Sequence, residues 1–213
     1  MRFTRVTAVA TAALVASALA GAPAAAHTRT KPLGTTSLAA VLTADKSGFD
    51  RRGGDYDILT AAVQAVLTAK PASPVKVLAD GTTALTAFIP NDRAFQLLVA
   101  DLEDTRRLPS EKAAFTAVAG LGIDTVEAVL LYHVVPGSTI DRKAALKADG
   151  AKLTTAGGGA VTVDVHGRYW KRITLVDADR SDRDARVVRF DVNKDNRQIA
   201  HGVDRVLRPI DLP

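Results

Sequence analysis

The chain has no cysteine among its 213 residues, one methionine and one tryptophan, and aromatic residues make up only 5% of it. Without cysteine there is no disulfide, no thiolate nucleophile, no sulfur ligand for zinc and no lipidated N-terminal cysteine. A domain without disulfides is held by burial and hydrogen bonding instead. A strong excess of one charge is missing too. The net charge is +5, too mild to argue for nucleic acid. After the first 26 residues no apolar run approaches the roughly 20 residues of a spanning helix, so no transmembrane anchor is expected. No Gly-x-Ser-x-Gly elbow occurs, and His27, His133, His166 and His201 do not have zinc spacing. The expectation is no enzyme, no cofactor and no metal.

The N-terminus opens with Arg2 and Arg5, continues as an uncharged Ala/Val/Leu run over residues 6–22, and reaches Ala24-Ala25-Ala26. A basic start, an apolar stretch and an Ala-x-Ala site predict a signal peptide over 1–26, cleaved after Ala26. The mature chain then has 187 residues and a net charge of +3, because the removed segment holds two arginines and no acid. That length fits one domain. Residues 27–36 read as a flexible tether and 37–213 as the domain itself. The protein is expected to be secreted and extracellular, and a monomer.

Apolar residues at helical spacing follow Asp57 until Pro71 and Pro74 close the segment. Residues 75–78 and 85–89 flank Asp80-Gly81 and predict two strands joined by a tight turn. Pro90 ends the second of these, and Asn91 with Asp92 suits the start of a helix. Ser110 caps another helix ending near Gly120. Asp124 and Glu127 form a capping-box pattern for a third, over 125–133. Beyond Gly150 the period changes to that of strands, over 152–154, 161–165, 168–176, 187–192 and 203–207. Helices gather in the first half and strands in the second, which argues for an α+β fold.

Two segments carry a family likeness. Thr86-Ala87-Phe88-Ile89-Pro90-Asn91-Asp92-Arg93-Ala94-Phe95 resembles the first signature of the fasciclin (FAS1) domain. Leu130-Leu131-Tyr132-His133-Val134-Val135-Pro136-Gly137 resembles the second, centred on Tyr-His. Residues 199–209, with Asp204-Arg205-Val206-Leu207-Arg208-Pro209, look like the family's last strand. The resemblance implies a two-sheet β wedge with helices packed around it. It also implies an extracellular adhesion or recognition module that binds an extracellular or envelope protein or a matrix polymer. Gly202 stands where an aliphatic residue is usual, and residues 177–184 resemble an inserted loop. Integrin-binding animal members carry Asp-Ile before the last strand; here Asn193-Lys194-Asp195 is followed by Asn196.

His133 shares a helical face with Val126, Val129 and Leu130, the phase of a core histidine with paired nitrogens. Tyr132 is expected to be partly exposed, since an aromatic with a polar tip suits an interface. The candidate partner-binding residues are Tyr132, His133, Asn193 and Asp195. The alternative function is binding of acidic polysaccharide through Arg168, Trp170, Lys171 and Arg172, with Trp170 stacking on a sugar unless it fills the core. Asp177, Asp179, Ser181, Asp182 and Asp184 invite a calcium loop, but the sixth place is Asp182 instead of glycine and the twelfth is Val188 instead of glutamate, so the pattern fails. Gly157-Gly158-Gly159 reads as a hairpin turn.

Overall fold

Residues 31–210 are described by the computed structural model of the chain. The signal peptide and cleavage site expected over 1–26 lie outside the described residues. Of the expected tether, Gly34 and Thr36 are tied to a distant turn. Gly34 N–H donates to Asp195 O at 2.8 Å, and Thr36 N–H to Asn196 Oδ1 at 3.0 Å.

The helices α1 (Leu38–Leu42), α2 (Asp57–Ala69), α3 (Asp92–Leu102), α4 (Glu111–Gly120) and α5 (Ile123–Tyr132) precede most of the strands. Side-chain caps start several of them, as the sequence suggested. Asn91 Oδ1 accepts from Ala94 N–H, and Ser110 Oγ from Ala113 N–H, each satisfying a backbone donor that a helix start leaves open. For α5 the capping box is a misreading. Its cap is Gly122, while Asp124 and Glu127 both pair with Lys70 across the interface to α2.

The strands are β1 (Leu85–Pro90), β2 (Val134–Pro136), β3 (Lys152–Thr154), β4 (Ala160–His166), β5 (Arg172–Val176), β6 (Ala185–Val192) and β7 (Gln198–Val203), with the short α6 (Arg142–Ala145) after β2. They form a mixed series in the order β2-β1-β7-β6-β5-β4-β3. β1 and β7 run parallel, from Leu85 opposite Gln198 to Pro90 opposite Val203, and the remaining pairs are antiparallel. β6 is where the series bends. Ala185 and Arg186 pair with β5, and the rest of β6 pairs with β7 through two register shifts, the bulges by which a sheet turns a corner. At the far edge, Ala156 N–H donates to Val134 O at 2.7 Å and draws the β3–β4 hairpin towards β2. The result is the expected α+β wedge.

Two cores follow from the alternation of β1, whose successive side chains face opposite sides. Leu85, Ala87 and Ile89 join Ile58, Val66, Phe95 and Leu130 under the helices. Phe88 points into the wedge with Tyr132, Val161, Ile173, Leu175, Val203 and Leu207.

Two strand predictions are corrected. Residues 75–78 belong to a 3₁₀ helix, Pro74–Ala79, because Pro74 fixes the first turn, Ser73 Oγ accepts from Val75 N–H, and Val75 and Leu78 bury on one side three residues apart. The last strand is Gln198–Val203 and not 203–207. Its neighbour β1 stops at Pro90, opposite Val203, and turns into α3, so the chain beyond loses its ladder partner. β5 begins at Arg172, four residues later than expected. α1, β2 and α6 have no counterpart among the expected elements.

Candidate functional site

The second signature lies at the end of α5 and is buried. His133 Nδ1 is 2.7 Å from Val129 O, and Nε2 accepts from Leu207 N–H at 2.9 Å. An accepting Nε2 leaves the proton on Nδ1, so the ring is neutral. Burial pushes its pKa down to about 4. The imidazole therefore fastens the strandless run after β7 to α5. Tyr132 is 1% exposed, against the expected partial exposure, and its hydroxyl donates to Ala160 O at 2.9 Å. The triple glycine is a hairpin turn as read, and its last residue, Gly159, lies against the ring. A side chain is excluded at Gly159, where a Cβ would stand 2.7 Å from Tyr132 Cε2. Gly202 is explained in the same way, because a Cβ there would collide with the Tyr56 hydroxyl.

The first signature supplies caps. Tyr56 offers α2 no side-chain cap; Asp92 does so from α3, accepting from Ile58 N–H at 2.8 Å and Asp57 N–H at 3.2 Å. Burial, and then the neighbouring Asp55, push the Asp92 carboxyl up to about 8. Asn193 and Asp195 occupy a turn in the left-handed region, with φ of 62° and 64°. Asn193 Nδ2 donates to Thr36 O and Gln198 O, both at 2.8 Å, whereas the Asp195 side chain is exposed.

The acidic loop 177–184 already holds a cation, the guanidinium of Arg208. Its Nη1 is 3.3 Å from Asp179, and its Nη2 is 2.6 Å from Asp101 and 3.0 Å from Asp182. Asp177 accepts the Arg208 backbone N–H at 2.8 Å. The Arg208 side chain is 3% exposed, so this loop is a buried ionic clasp on the C-terminal run.

The residues of the alternative set come together at the tip of the β4–β5 hairpin. Tyr169 and Trp170 are 81% and 85% exposed, which removes Trp170 from the core. Arg168, Lys171 and Arg172 are exposed beside them, and Arg168 Cζ lies 5.6 Å from the centre of the Tyr169 ring, a cation–π distance.

One cluster escaped the sequence reading. Asp50, Asp55 and Asp57 bring carboxylate oxygens within 4.8 Å of one another, and so do Asp55, Asp92 and Glu111. The signal was available in part, since Asp57, Asp92 and Glu111 each open a helix. That the three helix starts converge was not.

Helices on one side of a bent mixed sheet, with signature side chains committed to caps and seams, define a helix-covered β-wedge module. The chain belongs to the fasciclin family: the model of the Fasciclin domain matches residues 57–209. Domains of this family are generally extracellular, adhesion-related modules and are not enzymes. Among solved structures, a FAS1 domain pair from the insect cell adhesion molecule fasciclin I is similar, at 14% sequence identity and a TM-score of 0.43. That likeness covers 71% of this chain and 43% of that one, so the chain spans less than half the length of the pair. No curated protein matches the chain.

Proposed function

We propose that the protein is secreted after cleavage at Ala26 and acts outside the cell as an adhesion or recognition module, gripping another protein or a matrix component with the β4–β5 tip. The observation that carries this is the exposure of Tyr169 and Trp170, the most exposed large hydrophobic residues described. Tryptophan, tyrosine and arginine dominate binding hot spots, where they exchange water for a partner's surface. Of the first candidate set, Asp195 is free to touch a partner from its turn. Tyr132, His133 and Asn193 serve by holding the frame.

A second reading has its own support in Arg168, Lys171 and Arg172, which flank the aromatics and suit an acidic polysaccharide. Salt separates the two, because exposed charge contacts are screened over about 8 Å at physiological ionic strength. The test is retention of the tagged protein on cell-envelope fractions and on a glycan array, with and without Trp170→Ala. Binding that survives 0.5 M NaCl, about three times physiological ionic strength, and is lost in Trp170→Ala supports the protein or matrix reading. Binding abolished by salt or by Lys171→Glu with Arg172→Glu assigns the tip to polysaccharide. Retention unchanged by all three substitutions overturns both.

A further inference from the structure

Three helices, α2, α3 and α4, begin at one place, and each begins with an acid: Asp57, Asp92 and Glu111. A single acid at a helix start is ordinary, since each terminus offers about half a positive charge. Here Asp50 and Asp55 from the loop before α2 join them, so five acidic side chains meet where three helices start. Within each of the two triads the oxygens lie within 4.8 Å of one another, and Asp55 belongs to both. Oxygens bound to one calcium ion at 2.3–2.6 Å are separated by at most about 5 Å. Among the described residues, the ion pair made by this group is Arg52 to Asp50, at 3.8 Å and with the Arg52 side chain 80% exposed.

A second observation does not depend on counting charges. Asp55 Oδ1, Asp57 Oδ2 and Glu111 Oε1 are buried and have no hydrogen-bond partner. Glu111 is 1% exposed, and its other oxygen accepts from Asp50 N–H at 2.5 Å, so the side chain is held with one oxygen turned into the cluster. Buried polar atoms are nearly always paired, and leaving one unpaired is costly. Asp57 also lines an open cleft of about 350 Å³ between the loop after α1 and α2, together with Asp45 and Lys46, so the cluster borders solvent at Asp57.

We propose that Asp55, flanked by Asp57 and Glu111 and completed by Asp50 and Asp92, forms a calcium site that ties the starts of α2, α3 and α4 together. The donors are all carboxylate oxygens, a set that suits hard cations and not zinc or copper. Several carboxylates around one point suit calcium, which takes six to eight oxygens; magnesium keeps its waters and accepts one or two carboxylates. The site is remote in sequence from the acidic loop 177–184, whose cation is Arg208.

The test uses the purified protein stripped with EGTA and titrated with calcium chloride by calorimetry, with melting followed in parallel. The expected result is saturable binding of one ion per chain, in the sub-millimolar to millimolar range of extracellular calcium modules, and a melting temperature that rises with calcium concentration. Magnesium at equal concentration should raise it less. Glu111→Gln keeps the acceptor for Asp50 N–H and removes the charge. It should abolish both the heat and the calcium-dependent rise, yet melt no lower than wild type in EGTA. Asp55→Asn should lose the response too; if it does not fold, Asp57→Asn at the cleft carries the same test. The proposal is overturned by the absence of heat and of any melting shift up to ~10 mM calcium, beyond the weakest such modules. Binding that survives these substitutions overturns it equally.

Discussion

The ring of Tyr132 fills the space that a side chain on Gly159 would need, with a Cβ there 2.7 Å from ring Cε2. Packed interiors do not absorb an added methyl without moving something. Gly159→Ala should therefore cost about 1–3 kcal/mol, measured by urea unfolding. Gly120→Ala is the control. Gly120 ends α4 with nothing within 4 Å of the added atom, and the change should be neutral or stabilising by about 0.5–1 kcal/mol. Equal effects at the two sites would mean that the ring does not set the position of the hairpin.

His133 joins Val129 O to Leu207 N–H, so His133→Ala leaves a buried acceptor and a buried donor unpaired. The expected cost near neutral pH is about 1–3 kcal/mol. That cost should itself depend on pH. The folded pKa of about 4 lies below the unfolded value of about 6.5, so between them the unfolded chain binds more protons. The stabilisation from neutral His133 is complete above about 6.5 and lost as the pH falls towards 4. Asp92, pushed up to about 8, and Asp177, pushed up to about 6 mainly by burial, oppose this trend in wild type. Both remain in the variant, so the difference between the two proteins isolates His133. A cost that stays constant from pH 7 to pH 4.5 would show that the ring is not held neutral.

Arg208 is the counter-ion of a buried acidic loop, and removing it leaves Asp179 and Asp182 unpaired. Arg208→Met should cost about 3–5 kcal/mol by chemical denaturation, the range for breaking a buried pair from one side. Arg208→Lys keeps the charge but not the fork that reaches three carboxylates, and should fall between Met and wild type. If Arg208→Met is silent, the clasp does not hold the C-terminal run.

The helices under the first core were legible because their signals are local: Asn91 and Ser110 as caps, Pro71 as a stop, and apolar residues at helical spacing after Asp57. The wedge came from order along the chain together with the family signatures. Most of the failures were tertiary. Nothing at 75–78 distinguishes a short strand from a 3₁₀ turn, since Val and Leu suit either and Pro74 decides. The end of the last strand depends on Pro90, more than 100 residues away in sequence. Tyr132 looked like an interface residue because its hydroxyl partner, Ala160 O, is brought in by a glycine hairpin from another part of the chain. The carboxylate cluster joins residues that are far apart in sequence. Asp50 and Glu111, which touch, are 61 positions apart.

Between Trp170 and Ile173 the chain passes within three residues from the water to the wedge core, since Trp170 is 85% exposed and Ile173 2%. This boundary gives the sharpest test of the tip as a recognition element, because the two substitutions separate binding from stability. Ile173→Ala removes buried atoms and should cost about 2–5 kcal/mol. Trp170→Ala removes a far larger side chain that contributes little to folding, and should stay within about 0.5 kcal/mol of wild type. In binding the order reverses. An exposed tryptophan that anchors a partner is worth about 2 kcal/mol or more, so Trp170→Ala should weaken retention on the partner by at least about tenfold. Ile173→Ala, assayed below its melting temperature, should leave it close to wild type. Urea unfolding and surface plasmon resonance on the captured partner read the two quantities separately. A Trp170→Ala protein that is as stable as wild type and binds as well would remove the tip from the interface.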